Sequence, residues 1–554
     1  MQRNQIIAVV IIIVIVGGVA GYLYFFGPTP ENIIVMGTTD SVETNLDPAR
    51  AYDYFGLEMV QSLSSGLVEI TPGSQARAED IAPALATSWT TSSDGLAWDF
   101  TLRQNVLFED GREFNATDVK YTFDRNCNLT GDGLLEPDGS QLALEYNLII
   151  KNVTVVSEFV VRFNLYQPFA PFLQLLSYQG SYMVDRVHAP KDELVQFTSG
   201  DARASHPNGL GPFLLDAWIR SGATDVEFRL KKNPDYWNAA AGYPKSDEIV
   251  IKKYADATAL ATAMESGDID IAYRQLTAQQ IHSFQDNPAV RVWKGVGAQI
   301  QYMCFNQAFY PFNETVIRQG IAAALNRTNV CDTVFLGDFS PLYTIIPEGM
   351  AYHKPTFEVY GEANYTFTRS QLALKGYNET NKLVIEFYYE NSGHYPQSAQ
   401  QAAVYKTDLD ASGVITVNLH GLDWAQFRVQ RDAETMPMFM YGWYPDYVDP
   451  DNYEFLPFAN WLHMNYNKSY PVNGTGADQY DLWVEGRSVS TPAERQAAYS
   501  DLQDLQAQVC SVIPLWQSDT TAVTKPTIHG VVLDISVTWR HWLIYQGTAA
   551  TTGP

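Results

Sequence analysis

Three carboxylates crowd the run Tyr444-Pro-Asp-Tyr-Val-Asp-Pro-Asp-Asn452, namely Asp446, Asp449 and Asp451. A pair of carboxyl groups roughly 5–10 Å apart can act as acid and base on a glycosidic bond. The same mixture of Pro, Asp and Asn also describes a turn-rich loop that does no chemistry. Elsewhere the reactive side chains are dispersed. The nine histidines form no HExxH, and there is no GxSxG, no GxxxxGK[ST] and no GxGxxG entering a helix. Cys127, Cys304, Cys331 and Cys510 are far apart and make no metal-type pair. They leave open up to two disulfides, in three connectivities, or four buried thiols. No metal and no cofactor are expected, and a secreted hydrolase is the lesser alternative.

Composition narrows the partners. A formal net charge of −26, without any Lys/Arg cluster, argues against nucleic acid and against anionic lipid. Charged residues are 18% of the chain, below the usual quarter, whereas Tyr (33) and Trp (12) are plentiful. Such a surface suits neutral, stackable ligands as well as ordinary core packing. At 554 residues the chain is too long for one core, which stops growing near about 250–300 residues.

The N-terminus carries a topological signal. Ile6 to Phe26 has no charge and is 21 residues long, close to the ~20 that cross a bilayer as a helix. Arg3 precedes it, and Glu31, Asp40, Glu43 and Asp47 follow before the next cation, Arg50. The positive-inside rule then leaves residues 1–5 in the cytoplasm and places everything after a 6–26 anchor outside the cell. A cleaved signal peptide with Gly18-Val19-Ala20 as its site is the rival reading. Nine Asn-x-Ser/Thr sequons, at Asn115, Asn128, Asn152, Asn313, Asn326, Asn364, Asn378, Asn467 and Asn473, support an exported glycoprotein. Chance would supply about three or four.

The elements beneath these residues alternate between helix and strand. Residues 27–32 read as a linker and Ile33–Met36 as a buried strand. Residues 52–65 have helical spacing, Trp98–Arg103 alternates, and Val153–Leu165 reads as a hairpin turning near Glu158. Strands are expected at Phe213–Ile219 and Val226–Lys231. Asp256 caps a helix over 257–266 that Gly267 ends before a strand at Ile269–Tyr273. Helical spacing also covers Glu314–Asn326, and Thr491-Pro-Ala-Glu494 opens a helix reaching Val509, followed by a strand at Ile513–Trp516. The class is α/β or α+β.

Several segments, in order, resemble one family. They are Ile81-Ala-Pro-Ala-Leu-Ala-Thr-Ser-Trp89 with Ser93–Arg103, Val106–Gly111 with Asn115–Val119, and Gly209-Leu-Gly-Pro-Phe213 with Lys232-Asn-Pro-Asp-Tyr-Trp237. Phe305-Asn306, Ala324-Leu-Asn-Arg327 and Gly442-Trp443 with Asp449-Pro-Asp-Asn452 continue the series. Together they resemble the family 5 extracytoplasmic solute-binding proteins of ABC importers, which take peptides, nickel chelates or oligosaccharides; an archaeal member is expected.

That resemblance implies a two-lobed periplasmic-binding-protein-like α/β fold (type II, cluster C) with an extra domain in the first lobe. Carried over, lobe I is 31–72, 195–296 and 512–545, the insert 73–194 and lobe II 297–511. It implies a monomer that hands its ligand to ABC permease subunits. Oligopeptide is favoured over dipeptide, because Tyr389–Tyr395 holds no arginine for a ligand carboxylate. An oligosaccharide ligand and a receptor ectodomain are the alternatives. By the same resemblance Asp446 meets a peptide ammonium, and Trp443 and Trp424 form walls. Tyr273, Arg274 and Gln275 line the ligand backbone, and Thr39 and Ser41, within Thr38–Thr44, form another wall.

Overall fold

The computed structural model describes residues 32–42, 46–51, 53–131, 146–194, 208–222, 224–274, 276–392, 394–455, 462, 464–465, 475–489, 491–536 and 538–548. The apolar run 6–26, Gln275 and the sequons at Asn467 and Asn473 lie outside them. Among the described residues no helix is long and apolar enough to cross a membrane.

The chain enters as β1 (Ile33–Thr38) and reaches α1 (Tyr54–Leu63), capped by Asp53 accepting from the Gly56 amide at 2.6 Å. A separate antiparallel sheet follows, built from β2 (Ala86–Thr91), β3 (Ala97–Leu102), β4 (Ile150–Ser157) and β5 (Val160–Leu165) in the order β2-β3-β5-β4. Helix α2 (Ala116–Gly131) interrupts it in sequence and packs on it. Its core, with Phe100, Phe123 and Phe163, is continuous with Leu57 and Val60 of α1, so this unit shares a core with the main body.

The chain then returns through β6 (Phe213–Ser221), β7 (Thr224–Lys232) and β8 (Glu248–Lys253). Asp256 accepts from the amides of Thr258 and Ala259, both at 2.9 Å, to open α3 (Ala257–Ser266). Gly267, at φ 80°, ends that helix as the spacing predicts. β9 (Ile271–Tyr273) and β10 (Arg291–Phe305) follow, then α4 (Thr315–Ala324), α5 (Tyr365–Ala373), β11 (Leu383–Glu390), α6 (Ser398–Ala411), β12 (Ile415–Leu422), α7 (Trp424–Asp432) and β13 (Met438–Trp443). Thr491 caps α8 (Pro492–Val509), and β14 (Val512–Thr524) runs well past the expected Trp516 because it has partners along its whole length.

Strand order in the main sheet is β12-β11-β13-β10-β14-β9-β1-β8-β7-β6, with 339–341 added beside β14. β1, β8 and β9 are parallel to one another, and so are β11, β12 and β13. The long antiparallel pair β10 and β14 belongs to both groups. Arg291–Trp293 of β10 pairs with Thr524–Ala522 of β14, which in turn pairs with β9. Ile300–Phe305 pairs with Trp443–Met438 of β13 on its other side. Between Val296 and Ile300 the β10–β14 register breaks. Gly297 lies in that break, where a Cβ would stand 2.5 Å from the Ser518 carbonyl oxygen.

These registers locate a cleft. β9 points down β14 toward its middle, while β13 points up β10 toward the same level, so the carboxyl ends of both parallel groups converge on the break. From Trp293, level with the end of β9, to Ile300, level with the end of β13, is seven residues, or about 23 Å of strand. In open α/β sheets the carboxyl ends of strands are where ligands bind.

The two most specific motif segments hold one another. Gly209 and Gly211 pass directly over the end of α1, where added Cβ atoms would lie 1.9 Å from the Leu63 carbonyl oxygen and 2.4 Å from its carbon. Asn233 donates through Nδ2 to the Gly211 carbonyl (2.9 Å), and Trp237 Nε1 donates to Ser65 Oγ (3.1 Å). The glycines are therefore a helix contact as well as a turn. All four cysteines are free thiols, three of them buried.

Candidate functional site

On the first-lobe side, the end of β9 supplies the central group. Arg274 has φ 59°, a left-handed conformation rare for a long side chain. From there its Nη2 lies 2.9 Å from Glu58 of α1 and its Nε 3.1 Å from Asp40, beyond β1. The guanidinium also lies over the rings of Tyr273 (4.8 Å) and Tyr54 (5.5 Å). Glu58 is fully buried and accepts from the Trp539 amide at 2.9 Å. Burial pushes its carboxyl up to about 8 against the pull of Arg274. Behind it the buried His541 accepts or donates through Nδ1 to Ser62 Oγ at 2.8 Å, and burial pushes its imidazole down to about 3. Arg274 is thus already matched by two carboxylates.

Of the other first-lobe candidates, Tyr273 is a core side chain, packed at 4.4 Å on Trp539. It is fully buried under the Arg274 guanidinium and backs that side chain. Thr39 and Ser41 are half-buried in the loop after β1, with Ser41 Oγ bonded to Lys253 Nζ at the end of β8.

On the second-lobe side, Asn452 fastens the loop after β13. Its Oδ1 accepts from Trp443 Nε1 (3.2 Å) and from the Asp446 amide (2.8 Å), and its Nδ2 donates to Asp446 Oδ2 (3.3 Å). Trp443 is buried, with Phe455 edge-on at 5.3 Å, while Asp446 is half-buried. The neighbouring carboxylates are structural. Asp449 receives both terminal nitrogens of Arg495 (3.0 and 2.7 Å), and Asp451 faces Tyr447 (2.5 Å) and Arg487 (3.4 Å). With two of the three aspartates held this way in the interior, the run offers no acid–base pair to a sugar.

Trp424 starts α7, its amide donating to Ser392 Oγ at 3.1 Å. His394 lies flat on it (3.7 Å between centroids, 13°), and Tyr395, Phe427 and Tyr441 complete an aromatic cluster. Tyr395 donates to the Gly442 carbonyl (3.2 Å) and covers that glycine so closely that a Cβ would stand 2.6 Å from its ring. Burial holds the His394 imidazole below its usual range. Trp424 and Trp443 therefore reach the same end of the second-lobe sheet, joined through Tyr395 and Gly442.

Contacts across the cleft were not legible in the sequence. Tyr54 and Tyr444 meet at 4.6 Å between centroids, bringing the start of α1 onto the loop after β13. Tyr444 donates to Gln299 Oε1 on β10 at 2.5 Å. Tyr54 was hidden in an apolar helical pattern, and Tyr444 was overshadowed by the Gly-Trp pair beside it. Two residues along β10, Gln301 is completely buried, and neither its Oε1 nor its Nε2 has a hydrogen-bond partner among the described residues; the buried Tyr54 hydroxyl also has none. Gln301 stands between Gly442 of β13 and Trp516 of β14. A lone amide in the run Ile300-Gln-Tyr-Met-Cys-Phe305 was the available signal, since buried polar groups without partners are rare.

Comparison with known proteins agrees with this architecture. A family model described as "Bacterial extracellular solute-binding proteins, family 5 Middle" matches residues 80–460. Di/tripeptide-binding protein 2 of Pseudomonas aeruginosa (strain UCBPP-PA14) is 27% identical over 426 residues, 75% of this chain and 77% of that protein. The glutathione-binding protein GsiB of Escherichia coli O6:K15:H31 is 25% identical over 494 residues, 88% of each. Among solved structures, the periplasmic binding protein DppA from Helicobacter pylori in complex with peptide STSA superposes with a TM-score of 0.72, at 22% identity, over 93% of this chain and 98% of that one.

Proposed function

The chain belongs to family 5 of the extracellular solute-binding proteins, and from that premise we propose that it captures an oligopeptide between its two lobes and delivers it to an ABC permease. It is a binding protein and not an enzyme. The observation that carries the peptide reading is the convergence of both sets of strand ends on one cleft, with a half-buried carboxylate, Asp446, on one wall. Asp446 receives the peptide ammonium; Trp443, Trp424 and Tyr54 form apolar walls; and Gln301 with Gln299 hydrogen-bonds the peptide backbone from the floor. Arg274, already paired with Asp40 and Glu58, orders the first-lobe wall and does not grip a ligand carboxylate. That balance suits a longer peptide whose C-terminus is left free. The peptide-named relatives support the same class.

The flat faces of Trp424 and His394 support a second reading, an oligosaccharide stacked on the aromatic cluster. In both readings the hinge is the register break at 296–300, with residues 297–511 moving as one lobe and the rest as the other. We also infer that residues 6–26 tether the protein to the cell membrane with the described residues outside.

Closure is directly measurable. Small-angle scattering of a soluble form beginning at residue 27 should give a smaller radius of gyration with a saturating peptide mixture than without it, as for hinge closure around a ligand. Native mass spectrometry of protein from its own host should release peptides. Identical scattering profiles together with released sugars and no peptides would reject the peptide reading.

A further inference from the structure

Seven of the nine sequons lie among the described residues, and the fold already uses most of their asparagines. Asn115, Asn326 and Asn364 cap helix starts. Their Oδ1 atoms accept from the amides of Thr117 (2.9 Å), Asn329 (2.9 Å) and Phe367 (3.2 Å). Asn128, within α2, donates to Asp192 Oδ1 at 3.0 Å. Asn152, in β4, accepts from Asn164 of β5 across the ladder at 2.7 Å. Of these five, Asn115, Asn128, Asn326 and Asn364 are only half-exposed, and Asn152, though exposed, is held in a strand ladder.

Asn313 and Asn378 differ. Both are exposed and both sit in turns. Asn313 lies in the turns before α4, closed by Phe312 N to Phe309 O (2.8 Å) and Glu314 N to Pro311 O (2.9 Å), and its side chain makes no hydrogen bond among the described residues. Asn378 opens a tight turn in which its Oδ1 accepts from Thr380 Oγ1 (2.7 Å), Thr380 N (2.9 Å) and Asn381 N (3.0 Å). The hydroxyl of that sequon is thus already docked on the carboxamide, while Nδ2 reaches only the Gly376 carbonyl, at 3.5 Å.

The two turns share one surface. Lys375 Nζ meets Glu314 Oε2 at 2.7 Å, and Tyr310 stands near enough to Tyr377 to help, after burial, to raise its hydroxyl above the usual range. The same surface leaves Tyr310 64% and Leu374 67% exposed.

We propose that Asn313 and Asn378, the two sequons whose asparagines are exposed in turns, are N-glycosylation sites on one surface of the protein. The donor is a polyprenol-phosphate-linked oligosaccharide, acted on by the host's transferase. The asparagine Nδ2 forms a bond to the anomeric carbon as the bond from that carbon to the phosphate oxygen breaks, and the amide proton lost is balanced by the released phosphate. This inference rests on the extracellular placement proposed above.

Glycopeptide mass spectrometry on protein from its own host, run beside protease treatment of intact cells, separates the two. The expected result is protease-sensitive protein bearing glycans at Asn313 and Asn378 and none at Asn115, Asn326 or Asn364. Protease-sensitive protein with both Asn313 and Asn378 unmodified overturns the inference and leaves the placement standing. Protein protected from protease in intact cells and released by lysis overturns the placement, and the inference with it. A double variant, N313Q/N378Q, made in the same host should lose the glycan mass, with peptide affinity unchanged. An unchanged mass for that variant would also overturn the assignment.

Discussion

Asp446→Asn lowers peptide affinity by at least about a hundredfold, while the melting temperature without ligand barely moves. The expectation starts from placement. Asp446 follows the Gly442-Trp443 end of β13 at the cleft, half-buried, with a neutral amide, Asn452 Nδ2, donating to it at 3.3 Å. Its charge is felt by Tyr54 and Tyr453, whose hydroxyls it helps hold above their usual range after burial and nearer groups. Tyr54 belongs to the opposite wall, so closure brings that wall against the carboxylate. A ligand ammonium seated there forms a desolvated ion pair, and removing one member of such a pair costs about 3–5 kcal/mol, or roughly two to three and a half decades of affinity. Asparagine keeps the shape and the bond to Asn452, so the free protein is little disturbed. N-acetylated peptides should bind the unmutated protein poorly for the same reason. Titration calorimetry with free-amine peptides decides the matter, and equal affinity for variant and parent refutes the ammonium role. With an oligosaccharide ligand the order reverses, because an amide still hydrogen-bonds hydroxyls; Trp443→Ala then does the greater damage.

Gln301→Met should move stability and binding in opposite directions. The glutamine is completely buried on the strand common to both lobes, and its amide meets no partner among the described residues. Burying such a group unsatisfied costs about 1–3 kcal/mol by protein mutational measures. Methionine has nearly the same shape and no amide, so the unliganded variant should be more stable by about that amount. If the amide bonds the peptide backbone in the closed protein, the same change weakens peptide binding by about ten- to a hundredfold. A thermal melt without ligand and a calorimetric titration with it read the two effects. A stabilised variant that binds as tightly as the parent would mean that water alone satisfies Gln301, and a destabilised one would mean a structural partner.

How far the sequence carried these conclusions depended on the reach of the physics involved. Local signals held: Asp256 and Gly267 bound α3 as predicted, Thr491 and Pro492 opened α8, and the hairpin 153–165 turned beside Glu158. Periodicity underestimated β14, because a strand buried between two neighbours needs no alternation, and its Gln517-Ser-Asp-Thr-Thr521 stretch looked like its end. The family resemblance puts Tyr273 beside Arg274 along the ligand, whereas the structure buries Tyr273 in the core under the Arg274 guanidinium, a placement that packing on Trp539 decides and the local pattern does not. The pairing of Arg274 with Asp40 and Glu58 joins residues more than two hundred positions apart, which no local pattern could announce. Of the three clustered aspartates, only tertiary packing separates Asp446 from Asp449 and Asp451, because the arginines that occupy the latter two come from α8 and the helix before it.

The position of β14 also sets an order of assembly during synthesis. Strand β9 has β14 as its neighbour opposite β1, and the first half of β10 pairs with the same strand, yet β14 follows every other strand of that sheet along the chain. Until it arrives, β9 presents an open edge and neither parallel group can be joined to the other. Pairings of such large sequence separation close late and slowly, and open strand edges invite aggregation in the meantime. A nascent chain stopped before Val512 therefore holds two half-sheets with no strand between them. A quality-control protease or an export machine would meet an unfinished substrate until Val512–Thr524 had been made.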